Sequence, residues 1–221
     1  MEILQTIQFL RANALTYCAR EGKLEVVHEA VKYVEANGVP GLMLEAGVAM
    51  GGSAIIIAKA KKAERELRLY DVFEMLPPPS VSDDPQSHDV YGKLLAGNVT
   101  GATDRTYVAH ANDLLAFTRE NMARTGVDPE RLRIVFVKGR YEDTLQLDEA
   151  VAFAHIDCDW YDSVQLCIER IAGHVSPNGI MLFDDYNSFA GCRKAVDQWL
   201  AADSRFRVIH ADWTVAVQRV A

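Results

Sequence analysis

Four aspartates stand at the ends of two short apolar runs: Asp157 and Asp159 in HIDCDWYDS (residues 155–163), and Asp184 and Asp185 in FDDYNS (residues 183–188). The first run is Val151-Ala152-Phe153-Ala154-His155-Ile156; the second, entered through Gly179, is Ile180-Met181-Leu182-Phe183. Each is nearly continuous in apolar residues and too short for a helix, so both read as buried parallel strands. Between them Val164, Cys167, Ile168 and Ile171 recur at helical spacing, followed by the turn residues Ser176-Pro177-Asn178-Gly179. This strand-helix-strand unit delivers all four carboxylates to one carboxyl edge of a parallel sheet, where such sheets bind ligands. Like charges gathered there repel, and one stays protonated unless a cation lies among them. An oxygen-rich set of this kind suits a hard divalent ion, Mg²⁺ before others, with positions left for water or substrate. The alternative is a group of solvated loop acids.

The elements that must position this edge begin further up the chain. Residues 2–37 read as helical, with Leu24, Val27, His28, Val31 and Val34 on one face and Gly38-Val39-Pro40-Gly41 as the stop. Next comes LMLEAGVAMGGS (residues 42–53), then Ala54-Ile55-Ile56-Ile57-Ala58: a strand, a glycine-rich turn at Gly47, Gly51 and Gly52, and a helix. Glycine lets the backbone approach a ligand and leaves the helix amides free to meet an anion. The turn is not a P-loop, because Ser53 rather than lysine follows Gly52, and not a nucleophile elbow, because Ile55 stands where glycine is required. The dinucleotide fingerprint is not matched from Gly47 either. What remains is a nucleoside site of another kind, or a turn that binds nothing. The second strand, Leu67-Arg68-Leu69-Tyr70, ends in Asp71, where nucleoside-binding α/β folds hold a ribose hydroxyl pair; a turn or cap acid is the alternative. A third strand, Arg133-Ile134-Val135-Phe136-Val137, runs into KGRYEDT (residues 138–144), whose aromatic and acid either face an adenine or are plain loop residues.

Residues 74–105 form the only long irregular stretch, with Pro77-Pro78-Pro79 and scattered glycines. Its place beside the acidic edge makes it a candidate mobile cover, with a short helix near residues 90–95, or else a segment without function. Helical spacing returns over residues 111–124 and again over 191–200, and Phe206-Arg207-Val208-Ile209-His210 with Thr214-Val215-Ala216-Val217-Gln218 reads as a closing pair of strands. The expected architecture is α/β, a central mostly parallel sheet with helices on both faces, in one domain spanning residues 1–221.

A formal net charge of −8 and the lack of any long basic run argue against a nucleic-acid partner. No signal-peptide pattern opens the sequence and no apolar run is long enough to span a bilayer, so a soluble cytoplasmic protein with no membrane partner is expected. Cys18, Cys158, Cys167 and Cys192 form no C-x-x-C pair and are expected reduced and mostly buried. Alternation turns Cys158 away from its aspartate neighbours, toward core packing.

Taken in order, Glu45-Ala46-Gly47 to Gly51-Gly52-Ser53, Tyr70-Asp71-Val72-Phe73-Glu74, Lys138-Gly139 to Asp143-Thr144, HIDCDWYDS, and FDDY followed by Gly191-Cys192-Arg193-Lys194-Ala195-Val196-Asp197 resemble the macrocin O-methyltransferase family over roughly residues 38–200. The ordered set is far more specific than any one motif. The resemblance implies a Rossmann-like class I methyltransferase that uses S-adenosyl-L-methionine and Mg²⁺ to methylate sugar hydroxyls of natural products. It implies that Gly47, Gly51, Gly52 and Ser53 surround the methionine part of the cofactor, with Glu45 supporting its amino group. Asp71 would grip the ribose, Tyr141 and Asp143 would face the adenine, and Asp157 would border the cofactor as well as the metal. Asp157, Asp184 and Asp185 would hold Mg²⁺, and Asp159 would act as base. Three departures stand out: Trp160 where a smaller aliphatic residue is usual, Met75 in place of a glycine, and a late start without the usual amino-terminal extension. They leave the acceptor pocket, the cover and self-association into a homo-oligomer open.

An alcohol is far less acidic than a carboxylic acid, so Asp159 alone is a poor base and the ion must supply much of the driving force. The acceptor is expected to be a small molecule with two adjacent oxygens, on a sugar, a polyol or a catechol. Asp157-Cys158-Asp159 also fits the metal motif of a glycosyltransferase, although the glycine turn and the Asp184-Asp185 pair do not belong to that arrangement. No tyrosine has lysine four residues later, which disfavours a short-chain dehydrogenase. A cofactor-binding protein that has lost its chemistry is the non-enzymatic alternative.

Overall fold

The computed structural model describes residues 2–18, 20, 22–96 and 114–220. Its strands are β1 Leu42–Ala46, β2 Leu67–Asp71, β3 Ile134–Lys138, β4 Val151–Ile156, β5 Val175–Phe183, β6 Phe206–Ala211 and β7 Val215–Arg219. They form one sheet in the order β3-β2-β1-β4-β5-β7-β6. The first five run parallel, and β7 lies antiparallel to both β5 and β6. The chain moves outward from β1 to β3 and then returns to place β4 on the other side of β1. This reversal opens a crevice at the carboxyl ends of β1 and β4, the usual ligand position in a doubly wound sheet.

The helices are α1 Ile3–Ala12, α2 Lys23–Ala36, α3 Gly52–Ala60, α4 Pro85–Leu95, α5 Leu114–Arg124, α6 Tyr141–Thr144, α7 Tyr161–Ile171 and α8 Ala190–Ala202. Alternation along the central strands divides the core between two layers. Met43, Phe153 and Leu182 pack with Leu10 of α1, Val27 and Val31 of α2 and Ile55 of α3. Leu44, Ala154 and Met181 pack on the other face with Val164 and Ile168 of α7 and Val196 of α8. Helices therefore cover both faces, as the apolar runs of the sequence require. Among the described residues no helix is long and apolar enough to cross a membrane.

Three expectations are corrected. The helix expected over residues 2–37 breaks into α1 and α2, with Ala14 at φ 54° and Gly22 at φ 95° in between. The Asn13 side chain bonds the Phe9 carbonyl at the end of α1, and the break carries Leu15 and Cys18 into the core. Next, β5 begins at Val175 and includes the residues read as a turn, because a register shift against β4 accommodates them. Finally, α4 starts at Pro85, five residues before the expected turn of helix, since Asp84 caps it by accepting a 2.8 Å bond from the Ser87 amide. Residues 97–105 of the expected cover and 111–113 of the following helix lie outside the described residues.

Candidate active site

Three loops leave the carboxyl edge at the same level. The Gly47 amide donates to the Tyr70 carbonyl, Asp157 to Ala46 and Asp184 to Ile156, each one rung beyond the strands. Gly47 has φ 90°, and a Cβ there would lie 1.8 Å from the Asp157 carbonyl oxygen, so the glycine turn and the first aspartate loop fit together only because position 47 has no side chain. Gly51 caps α3 in the left-handed region at φ 83°. A Cβ on Gly52 would meet the Thr16 hydroxyl at 2.4 Å, so the connection between α1 and α2 lies directly over the glycine turn. Ala49, Phe73 and Asp159 also have positive φ, at 44°, 50° and 58°, which concentrates backbone strain at this edge.

The aspartates expected as a cluster do converge, but two cations of the protein lie among them. Lys23, first residue of α2, places Nζ 2.5 Å from Asp184 Oδ2, 2.9 Å from the Asp184 carbonyl oxygen and 3.9 Å from Asp185 Oδ1. His155, opposite Glu45 in the β1/β4 register, places Nδ1 2.7 Å from Glu45 Oε1 and Nε2 3.7 Å from Asp184 Oδ1. Burial alone would lower the His155 pKa, but Asp184 and Glu45 outweigh it and hold the imidazole up at about 9. Burial likewise opposes an ionised Asp184, yet His155 and Lys23 hold its carboxyl below the usual range. The other three are pushed the opposite way. Burial and the neighbouring Asp184 raise Asp157 and Asp185, and burial with Asp185 and Asp184 raises Asp159. Asp184 Oδ1 and Asp185 Oδ2 are buried without a hydrogen-bond partner. Asp184 Oδ1 faces His155 Nε2 at 3.7 Å and Asp185 lies beside Asp157, and as hard oxygens both fit a divalent cation. Among the described residues, the group of three candidate ligands lying within 4.8 Å of one another is Cys18, Asp157 and Asp184; Asp185 is not part of it.

A cavity of about 250 Å³ opens beside this cluster. Its walls include Gly47, Asp71, Tyr141, Asp157 and Asp159 of the expected site, together with Tyr17, Glu74 and Trp160. Asp71 meets three backbone amides: Oδ2 accepts from Val48 at 2.7 Å and Ala49 at 2.9 Å, and Oδ1 from Phe73 at 2.6 Å. It therefore ties the glycine turn to the end of β2, and both its oxygens are engaged. Burial nonetheless outweighs those bonds and raises its pKa. Glu45 is fully buried between His155 and Ser53, below the cavity and not in its wall. Gly51, Gly52 and Ser53 are also set back from the wall, as are Asp184 and Asp185, and Asp143 is exposed on α6 while its neighbours Arg140, Tyr141 and Glu142 face the space.

The described part of the expected mobile cover is anchored. Trp160 Nε1 donates to the Pro77 carbonyl at 2.9 Å and the Tyr161 amide to Asp83 Oδ1 at 2.7 Å. Gly191 supplies the room, because a Cβ there would lie 2.1 Å from Asp83 Oδ1. Trp160 is 2% exposed and packs edge-on against Phe189, so its indole fixes the proline-rich turn beside Asp159. All four cysteines are free and buried, and Cys158 joins the core as alternation requires.

Sequence reasoning missed Lys23 and gave His155 no role. His155 carried a signal, being the one basic residue in an apolar strand, and the structure pairs it in register with Glu45 of β1. Lys23 carried none beyond following Gly22, since its partner lies 161 residues away.

Comparison with known proteins agrees with this architecture. The chain is 30% identical over 183 residues to the 8-demethyl-8-(2,3-dimethoxy-alpha-L-rhamnosyl)-tetracenomycin-C 4'-O-methyltransferase of Streptomyces olivaceus, covering 80% of this chain and 64% of that one. It is 28% identical to the demethyldecarbamoylnovobiocin O-methyltransferase of Streptomyces niveus, covering 86% and 69%. The chain thus spans about two thirds of the length of these curated relatives. The structure of the O-methyltransferase NovP superposes with a TM-score of 0.72 at 25% identity, covering 90% of this chain and 79% of NovP, and the fold is that of the class I methyltransferases. The family described as macrocin-O-methyltransferase (TylF) matches residues 12–219, and the chain belongs to that family.

Proposed function

We propose that this protein transfers a methyl group from S-adenosyl-L-methionine to a hydroxyl of a sugar or polyol on a natural product. What supports the reading most is a single juxtaposition: Asp157 and Asp159 share one cavity with the glycine turn at Gly47, and the buried carboxylates of Asp184 and Asp185 lie behind them. The relatives' names, both O-methyltransferases of glycosylated antibiotics or related molecules, supply the acceptor class.

In this reading the cavity between Gly47, Asp71 and Tyr141 takes the cofactor, whose sulfonium supplies the methyl group. Gly47 admits it closely, and Asp71 acts by fixing the Val48 and Ala49 amides that shape the turn. Tyr141 offers a ring for the adenine, and Asp143 a more distant carboxylate. Asp157, Asp184 and Asp185 would hold a divalent ion, Mg²⁺ on the oxygen donors alone, which when bound makes a nearby alcohol more acidic. Asp159 removes the hydroxyl proton. In the metal-free chain burial with Asp185 and Asp184 raises its pKa, and the Trp160 bond to Pro77 keeps its loop in place. Positioning of the acceptor oxygen against the methyl supplies much of the remaining rate.

The test is incubation with methyl-labelled S-adenosylmethionine and a panel of deoxysugar-bearing macrolides and aminocoumarins, with Mg²⁺ and with EDTA. Label transferred to an acceptor only when the ion is present is the expected outcome. Transfer at an unchanged rate in EDTA would remove the metal from the reading, and cofactor binding without transfer to any polyol would leave only a binding protein.

A further inference from the structure

We propose that Thr118 and Asn121 of α5 are positioning residues for the cofactor: they hold the glycine turn by its carbonyls, as Asp71 holds it by its amides, in the shape that admits S-adenosyl-L-methionine. The inference rests on the cofactor reading above and adds two residues that lie outside the ordered motifs of the sequence.

Leu114, Thr118 and Asn121 recur at helical spacing and share one buried face of α5. Leu114 stands in the cavity wall. One turn further along, the Thr118 hydroxyl lies 2.7 Å from the Ala49 carbonyl oxygen and 2.8 Å from the Leu114 carbonyl oxygen. A hydroxyl has one proton to donate, and the Leu114 carbonyl already serves the ladder of its own helix, so Ala49 is the acceptor that needs it. A turn beyond, Asn121 Nδ2 donates to the Met50 carbonyl at 3.0 Å. A Cβ on Gly51 would lie 2.8 Å from Thr118 Cγ2, which shows how closely α5 is laid against the turn.

Asp71 takes the Val48 and Ala49 amides while α5 takes the Ala49 and Met50 carbonyls, so consecutive peptide groups of the turn are gripped at both ends. Ala49 depends on this most. It stands in the cavity wall at φ 44°, a conformation that a residue other than glycine keeps when its surroundings over-determine it. The choice of asparagine at position 121 is a second, independent observation. Its Oδ1 is buried and meets no donor among the described residues, a cost to the fold that an apolar side chain would avoid, so the residue is kept for its Nδ2 donor. Loss of either donor leaves a buried carbonyl unsatisfied, and the turn drifts to shapes in which that oxygen finds another partner. The cofactor then binds the fraction of chains whose turn is still correct, and its affinity falls with that fraction.

The test is calorimetric titration of S-adenosylhomocysteine into the full chain, with folding of each variant checked by circular dichroism. Thr118→Val keeps the branched shape and removes the hydroxyl, whereas Thr118→Ser keeps the hydroxyl and removes the methyl that abuts Gly51. We expect affinity about 10-fold weaker in Thr118→Val and in Asn121→Leu, and close to wild type in Thr118→Ser. A residue that merely packs α5 on the turn predicts the reverse order, with valine harmless and serine damaging. That reverse order, or wild-type affinity in both Thr118→Val and Asn121→Leu, overturns the positioning role and leaves the cofactor site standing. No binding of S-adenosylhomocysteine by the wild type overturns the cofactor reading itself.

Discussion

Asp71 and Asp184 lie at the same carboxyl edge, both nearly buried, and the protein treats them differently. Asp71, at the tip of β2, is met by backbone amides from Val48, Ala49 and Phe73. Asp184, at the tip of β5, is met by the charged side chains of Lys23 and His155. Amides supplied by a turn build that turn, and Asp71 accordingly sets the shape of the glycine loop. Charges imported from a distant helix and a neighbouring strand hold down a carboxylate that must stay ionised. Between these extremes, Asp157 and Asp185 gather repulsion that Lys23 offsets only in part. The difference separates an acid held by backbone amides, which shapes the scaffold, from an acid held by charged side chains, which in the proposed reading serves the ion.

The sharpest break in that contrast is at Asp159. Asp159→Asn should lower kcat by about 10²–10⁴-fold, as loss of a general base does, with cofactor affinity unchanged in a calorimetric titration. Lys23→Met comes next. Removing one partner of a buried ion pair leaves Asp184 uncompensated, so urea unfolding of the metal-free protein should show a loss of about 3–5 kcal/mol. A divalent ion should restore part of that loss through preferential binding to the folded state. Asp71→Ala leaves three amides without their acceptor and should cost about 1–3 kcal/mol, with no recovery on adding an ion, which distinguishes the scaffold acid from the ligand acids. Trp160→Phe removes the bond to Pro77 and part of the buried ring that packs on Phe189, and a loss of about 1–2 kcal/mol in the same assay is expected.

Much of this arrangement was legible in the letters, for a physical reason. The apolar runs ending in Asp157 and Asp184 had no stable place except a sheet interior, and that alone brings their acids together. Gly47 could be recognised as a close-approach position, although the atom it accommodates is the Asp157 carbonyl, which no local pattern reveals. The break between α1 and α2 was not legible, because helical periodicity in residues 2–37 says nothing of Thr16 seating on Gly52 or Lys23 reaching Asp184. The anchoring of the proline-rich stretch also escaped, since loop composition reads as mobile unless Trp160 and Asp83 are known to lie across from their partners. Local propensity reports which elements form. Partners far apart in sequence become visible only once the sheet order is known.

The claim that the acidic edge is built around an ion is tested most directly by calorimetric titration of Mn²⁺ into protein saturated with S-adenosylhomocysteine, for the wild type and Asp157→Ala. The account predicts one ion per chain in the wild type and none in the variant. An absence of binding in the wild type, or identical binding in both, would contradict it and leave Lys23 and His155 as the only cations this edge requires.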